Sequence, residues 1–243
     1  MSSGDPLSYN SNCKFLGIHL DDKLTFRTHI DSIISKISKN NGILYRIRNS
    51  LPLQARLDFY HGFIYPYLTY NVIVWGGAYQ AHLQPLIVMH KRVIRTICSK
   101  PKNEHTSSLF LNLGLLKFQD LYKYFMCIYM YRACQDGQFT VSHHHNTRNR
   151  SMAAPQFHRL QKCQHAVSFA GPTIWNKIPE QIRSLNSIAS FKKALKSHLL
   201  NQYNEWNYLR KFTILLYSLV FNHSQISLNL YFSLTRKAIS VTN

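Results

Sequence analysis

The sequence predicts a mainly α-helical fold, a helical bundle with a short N-terminal β-hairpin and a less ordered basic C-terminal region. Three observations predict it. Between Thr28 and Ser50, Ile30, Ile33, Ile34, Ile37, Leu44 and Ile47 recur at helical spacing, while Lys36, Lys39, Arg46 and Arg48 project elsewhere. Leu83, Leu86, Ile87, Val93, Ile94 and Ile97 repeat that pattern opposite His90, Lys91, Arg92 and Arg95. Near the N-terminus, Leu16, Ile18 and Leu20 alternate with Gly17 and His19 at the two-residue period of a half-buried strand.

The elements follow in order. Asp21-Asp22-Lys23 reads as polar turn material between that strand and Leu24 and Phe26, which makes a hairpin. A hairpin alone is marginal in water, so a partner sheet is expected upstream of residue 13. Pro52 interrupts the first helix, and Leu53 to Trp75 is expected to be a second, largely buried helix kinked at Gly62 and Pro66 and ended by Gly76-Gly77. Lys100 to Asn103 closes the third helix. Thr106 or Ser107 can cap a short helix that Gly114 breaks, and Phe118 to Cys134 forms an aromatic-rich one. Gly171-Pro172 and Pro179 frame Trp175 and Ile178, and Ser187 precedes a helix with Ile188, Phe191, Leu195 and Leu199 on one stripe.

The expected organisation is therefore a hairpin over 1–26, a helical bundle over 27–135, a basic His/Arg-rich linker over 136–170, a C-terminal region with a short basic amphipathic helix over 171–203, and an apolar tail over 204–243. Within the tail, the apolar run 212–221 is about half the length a membrane span needs, so membrane insertion is not expected.

Composition narrows the partner. The chain of 243 residues carries 29 Lys plus Arg against 10 Asp plus Glu, a net charge of +19, and residues 1–26 hold none of that excess. Such a balance favours a polyanion, with nucleic acid first. Five cysteines at irregular spacing, without a legible secretory signal, point to reduced thiols in the cytoplasm or nucleus and not to a secreted chain. Cys127, Cys134 and Cys163 with His143, His144 and His145 lack paired zinc-ligand spacing, and nothing local marks a Cys–His hydrolase. Tyr122, Tyr124, Phe125, Tyr129 and Tyr131 sit at helical spacing, which suits core packing better than base stacking.

Several motifs, in order, resemble the C-terminal part of the reverse transcriptase of jockey-like non-LTR retrotransposons: Lys14-Phe15-Leu16-Gly17-Ile18 with Asp21, Leu24 and His29; residues 63–70 with Trp75-Gly76; His145-Asn146-Thr147-Arg148; and residues 171–179 with Phe191-Lys192. The resemblance covers residues 13 to about 203. It implies that Phe15, Leu16 and Gly17 match a primer grip and that the following helices form a thumb on the template–primer duplex. Lys36, Lys39, Arg46, Arg48, Lys91, Arg92, Arg95, Arg148 and Arg150 are then the candidates for nucleic-acid contacts.

That family's catalytic aspartates occupy a Tyr/Phe-x-Asp-Asp turn that holds divalent magnesium. The sequence has no such turn, and Leu20-Asp21-Asp22 lies after the Phe-Leu-Gly motif, where the family has a hairpin turn. The expectation is a polymerase fragment that binds RNA or an RNA–DNA duplex, is inactive alone, and holds no catalytic residue, cofactor or metal; a full-length element protein is a further candidate partner, and a small-molecule substrate is not expected. The alternatives are a non-enzymatic interaction protein and a basic amphipathic binder of membrane surfaces.

Overall fold

The computed structural model describes residues 12–137, 153, 155, 159 and 165–203. Helices dominate these residues, and the one sheet among them is the two-stranded hairpin β1 (Asn12–Phe15) and β2 (Ile18–Asp21). The strands are antiparallel, with Phe15 opposite Ile18 and Asn12 opposite Asp21. The chain reverses at Leu16-Gly17, both with positive φ (+46° and +82°), as a two-residue hairpin turn requires. Leu16 is thus the exposed turn tip and not an inward strand residue.

Asp21-Asp22-Lys23, expected as the turn, instead joins β2 to the first helix, α1 (Arg27–Ile47). The Asp21 carboxylate accepts the Thr25 N–H at 3.0 Å, the Thr25 hydroxyl at 2.7 Å and the Phe26 N–H at 2.9 Å. Burial would raise its pKa, but these donors outweigh burial and lower it.

α1 packs its Ile30, Ile33, Ile37 and Leu44 stripe against α5 (Gln80–Ile97), which contributes Leu86, Val93, Ile94 and Ile97. Between them the expected second helix is three: α2 (Leu53–Phe63), α3 (Tyr65–Thr69) and α4 (Val72–Trp75). Pro66 lacks the N–H needed to continue α2 and sits in the first turn of α3 instead. Extended Tyr70 and left-handed Asn71 then part α3 from α4. Nor is α2 largely buried: Tyr60 is its buried residue, while Leu53 and Phe63 are exposed.

α6 (Thr106–Asn112) and α7 (Phe118–Gln135) follow. His105, not Thr106 or Ser107, occupies the N-cap position of α6, and Thr106 is buried as the first helical residue. At Gly76 a Cβ would lie 2.7 Å from the Tyr122 ring and 2.5 Å from the Val72 carbonyl, so glycine is what lets α4 and α7 meet. α8 (Val167–Trp175) takes in Gly171 and Pro172 and begins inside the stretch expected as linker; α9 (Glu180–Arg183) and a helix over 188–203, α10, complete the described chain.

One hydrophobic cluster runs from Ile18 to Tyr203. α10 joins it through Phe191, Leu195, Leu199 and Tyr203, with Phe191 stacked on Tyr131 at 4.6 Å between ring centroids. His90, expected on the basic face of α5, is in this core: its Nε2 is hydrogen-bonded to the Tyr60 hydroxyl at 3.0 Å and its ring meets the Phe110 edge. Among the described residues no helix is long and apolar enough to cross a membrane.

Candidate nucleic-acid interface

Beside the buried seam between α1 and α5, a second stripe on each helix borders an open cleft, with Asn41 buried at its base. At steps of four and three residues, Asn41 and Tyr45 on α1 and Arg48 at its C-cap meet Val88, Arg92 and Arg95 on α5, and the segment from Ser99 to Lys102 closes the end. The result is a cleft of about 590 Å³ with Arg48, Arg92, Arg95, Lys100 and Lys102 around it and no carboxylate in its lining. Like charges held this close focus a positive potential that an anion relieves.

Several side chains in the cleft are fixed. The Arg48 guanidinium lies 3.5 Å over the Tyr45 ring and donates to the Tyr45 carbonyl at 2.8 Å. Arg95 Nε donates to the Glu104 carbonyl at 2.9 Å, and Arg56, outside the lining, holds the Ser99 hydroxyl at 2.7 Å. Asn41 is 8% exposed, and its Oδ1 receives no hydrogen bond.

A second cavity, about 330 Å³, lies beneath the hairpin and is lined by Gly17, His29, Ile33, Lys36, Pro66, Tyr67 and Tyr70. Tyr70 donates its hydroxyl to the Leu16 carbonyl, while Phe15 and Leu16 stay 64% and 69% exposed at the tip. Lys36 Nζ lies 5.5 Å from the centre of the Tyr67 ring. Burial, helped by the positive potential of His19 and Lys36, pushes the His29 pKa down to about 4.

The structure thus brings Arg48, Arg92 and Arg95 together and sets Lys36 with Gly17 in the hairpin cavity. Lys39 and Arg46 are exposed on α1 and line neither space. Lys91 faces a separate recess of about 230 Å³ with Thr106, Ser107 and Lys117. Arg148 and Arg150 lie outside the described residues, as do His143, His144, His145, Cys163 and the tail from residue 204. Lys100 and Lys102, read from sequence only as the close of a helix, complete the cleft with Asn41 and Tyr45; the matching four-and-three spacing on α1 and α5 is the signal that could have found the last two.

Among the described residues no three His, Cys, Asp or Glu come together in a way that could hold a metal ion. Both Asp21 carboxylate oxygens accept hydrogen bonds at the start of α1. Cys127 is buried, and burial pushes its thiol up to about 12 against the pull of Lys123, which makes it an inert core thiol at neutral pH.

No family model and no solved structure matches the chain. Curated relatives do. The RNA-directed DNA polymerase from mobile element jockey of Drosophila funebris is 33% identical over 122 residues, 49% of this chain and 13% of that protein. The jockey enzyme of Drosophila melanogaster is 29% identical over 122 residues, again 13% of its length. A probable RNA-directed DNA polymerase from transposon X-element of Drosophila melanogaster is 29% identical over 96 residues, 38% of this chain and 10% of that protein. Over about half its length, then, the chain is similar to a small part of the RNA-directed DNA polymerases of non-LTR mobile elements.

Proposed function

We propose that this chain holds nucleic acid, RNA or an RNA–DNA duplex, as the thumb-side part of a mobile-element RNA-directed DNA polymerase. The observation that carries the reading is the acid-free cleft, in which arginines and lysines from α1, α5 and the segment after α5 surround one space. Sequence-independent phosphate binding needs that charge and no base-specific geometry. Phe15, Leu16 and Gly17 at the exposed hairpin tip serve as the strand-end grip, with Lys36 beside them.

Phosphoryl transfer is assigned to aspartates and magnesium outside this sequence, because no Tyr/Phe-x-Asp-Asp turn occurs in it. Its place of action on this reading is the cytoplasm or nucleus.

The test is equilibrium binding of the chain to an RNA–DNA hybrid across a series of salt concentrations. Each phosphate neutralised by a cation of the cleft steepens the fall of log K against log salt by about 0.9, to at most about −4.5 for all five. Binding that ignores salt, or no binding, contradicts the reading.

A further inference from the structure

Resting on that nucleic-acid reading, we propose that the α1–α5 cleft takes one unpaired nucleotide of a single strand and does not simply track duplex phosphates. Size is the first argument. About 590 Å³ falls within the range of pockets that enclose small ligands, roughly 300–1,000 Å³, and cannot admit a double helix.

The lining is the second argument. Around the cations stand Tyr45, 58% exposed, and Val88, 44% exposed, an apolar wall that phosphates alone would not use. A base can stack on Tyr45 or on the guanidinium plane that Arg48 holds over it, while its phosphate meets Arg92, Lys100 and Lys102. Neither Lys100 nor Lys102 is drawn to an acid in the cleft, since none lines it.

Asn41 adds a polar group to this wall. Its side chain is more than nine-tenths buried at the cleft lining, and its Oδ1 lacks a donor. Buried acceptors are normally paired. The oxygen is enclosed, and because the terminal torsion of asparagine is broad and roughly two-fold, a half-turn exchanges it with Nδ2 and presents it to an exocyclic amine or a ribose hydroxyl seated in the cleft. A phosphate, which offers no donor at neutral pH, would leave Asn41 as it is.

The experiment compares a blunt RNA–DNA hybrid with the same hybrid carrying a short single-stranded RNA overhang containing 2-aminopurine, each titrated with the full chain. The overhang should tighten binding about five- to tenfold, the lower part of what one stacked base contributes, and 2-aminopurine fluorescence should change on binding. In Tyr45→Ala the ratio of overhang to blunt affinity should fall to about one, whatever the blunt affinity, while Tyr45→Phe should keep it. A blunt hybrid that binds as tightly as the overhang overturns this inference and leaves the functional reading standing. A gain that survives in Tyr45→Ala also overturns it, and failure of both ligands to bind overturns the functional reading and this inference with it.

Discussion

The Tyr70 hydroxyl donates to the Leu16 carbonyl at 2.8 Å, tying the tip of the hairpin to the joint between α3 and α4. Two isolated strands are marginal in water, so the hairpin's orientation depends on this tie and on Ile18, which is buried against α1. Tyr70→Phe removes a solvent-exposed hydrogen bond and should cost no more than about 1 kcal/mol of global stability. Amide exchange over residues 15–18 should nonetheless speed up. Unchanged exchange there would show that the tie does not hold the hairpin.

A second polar contact fastens the C-terminal helix. The Tyr203 hydroxyl donates to buried Asp120 at 2.7 Å and accepts the Lys117 N–H at 2.9 Å, and Lys123 completes the carboxylate at 2.8 Å. Burial, then the charge of Asp120, raises the Tyr203 pKa, which keeps the phenol a donor through neutral pH. Tyr203→Phe strands the Lys117 N–H and half of Asp120, a loss of about 1–3 kcal/mol. The urea midpoint measures it, and a midpoint equal to that of the parent chain would contradict the account.

Acid should destabilise the fold from near neutrality. Burial lowers His90 to about 3, and burial with nearby positive charge lowers His29 to about 4. Both are depressed from an unfolded value near 6.5, so the unfolded chain takes up these protons first. Their stabilising contribution is full above about pH 6.5 and is lost toward about pH 4 for His29 and about pH 3 for His90, each at up to about 1.4 kcal/mol per pH unit. Asp21, also depressed, acts in the same direction at lower pH, as its hold on Thr25 and Phe26 is lost. Denaturant unfolding at pH 7.5 and pH 5 reads the effect. His29→Phe removes two buried nitrogens without partners and should flatten the slope; equal stability at the two pH values would refute the burial argument.

The α1 and α5 stripes were legible because each helix buries one face and repeats it for several turns. The hairpin was legible too, but its turn was not. Period two fits Leu16 in a strand, and only the pairing of Phe15 with Ile18 reveals that Leu16-Gly17 must reverse the chain. His90 looked basic beside Lys91 and Arg92, yet Tyr60, thirty residues away, gives it a partner inside the core. The run from Leu53 to Trp75 looked continuous because its residues are apolar; the backbone at Tyr70 and Asn71 decided otherwise. Three members of the cleft were visible as charges, but their convergence with Lys100 and Lys102 is a tertiary fact.

The most direct test of the central claim is the affinity of the chain for an RNA–DNA hybrid between 50 and 200 mM salt, compared with Arg92→Glu/Lys100→Glu and, as an off-cleft control, Lys39→Glu. The cleft pair should weaken binding at least about tenfold and flatten the salt dependence by nearly two contacts, with a clearly smaller effect from the control. Equal losses in both variants, or no loss in the cleft pair, would mean that the cleft is not where nucleic acid is held.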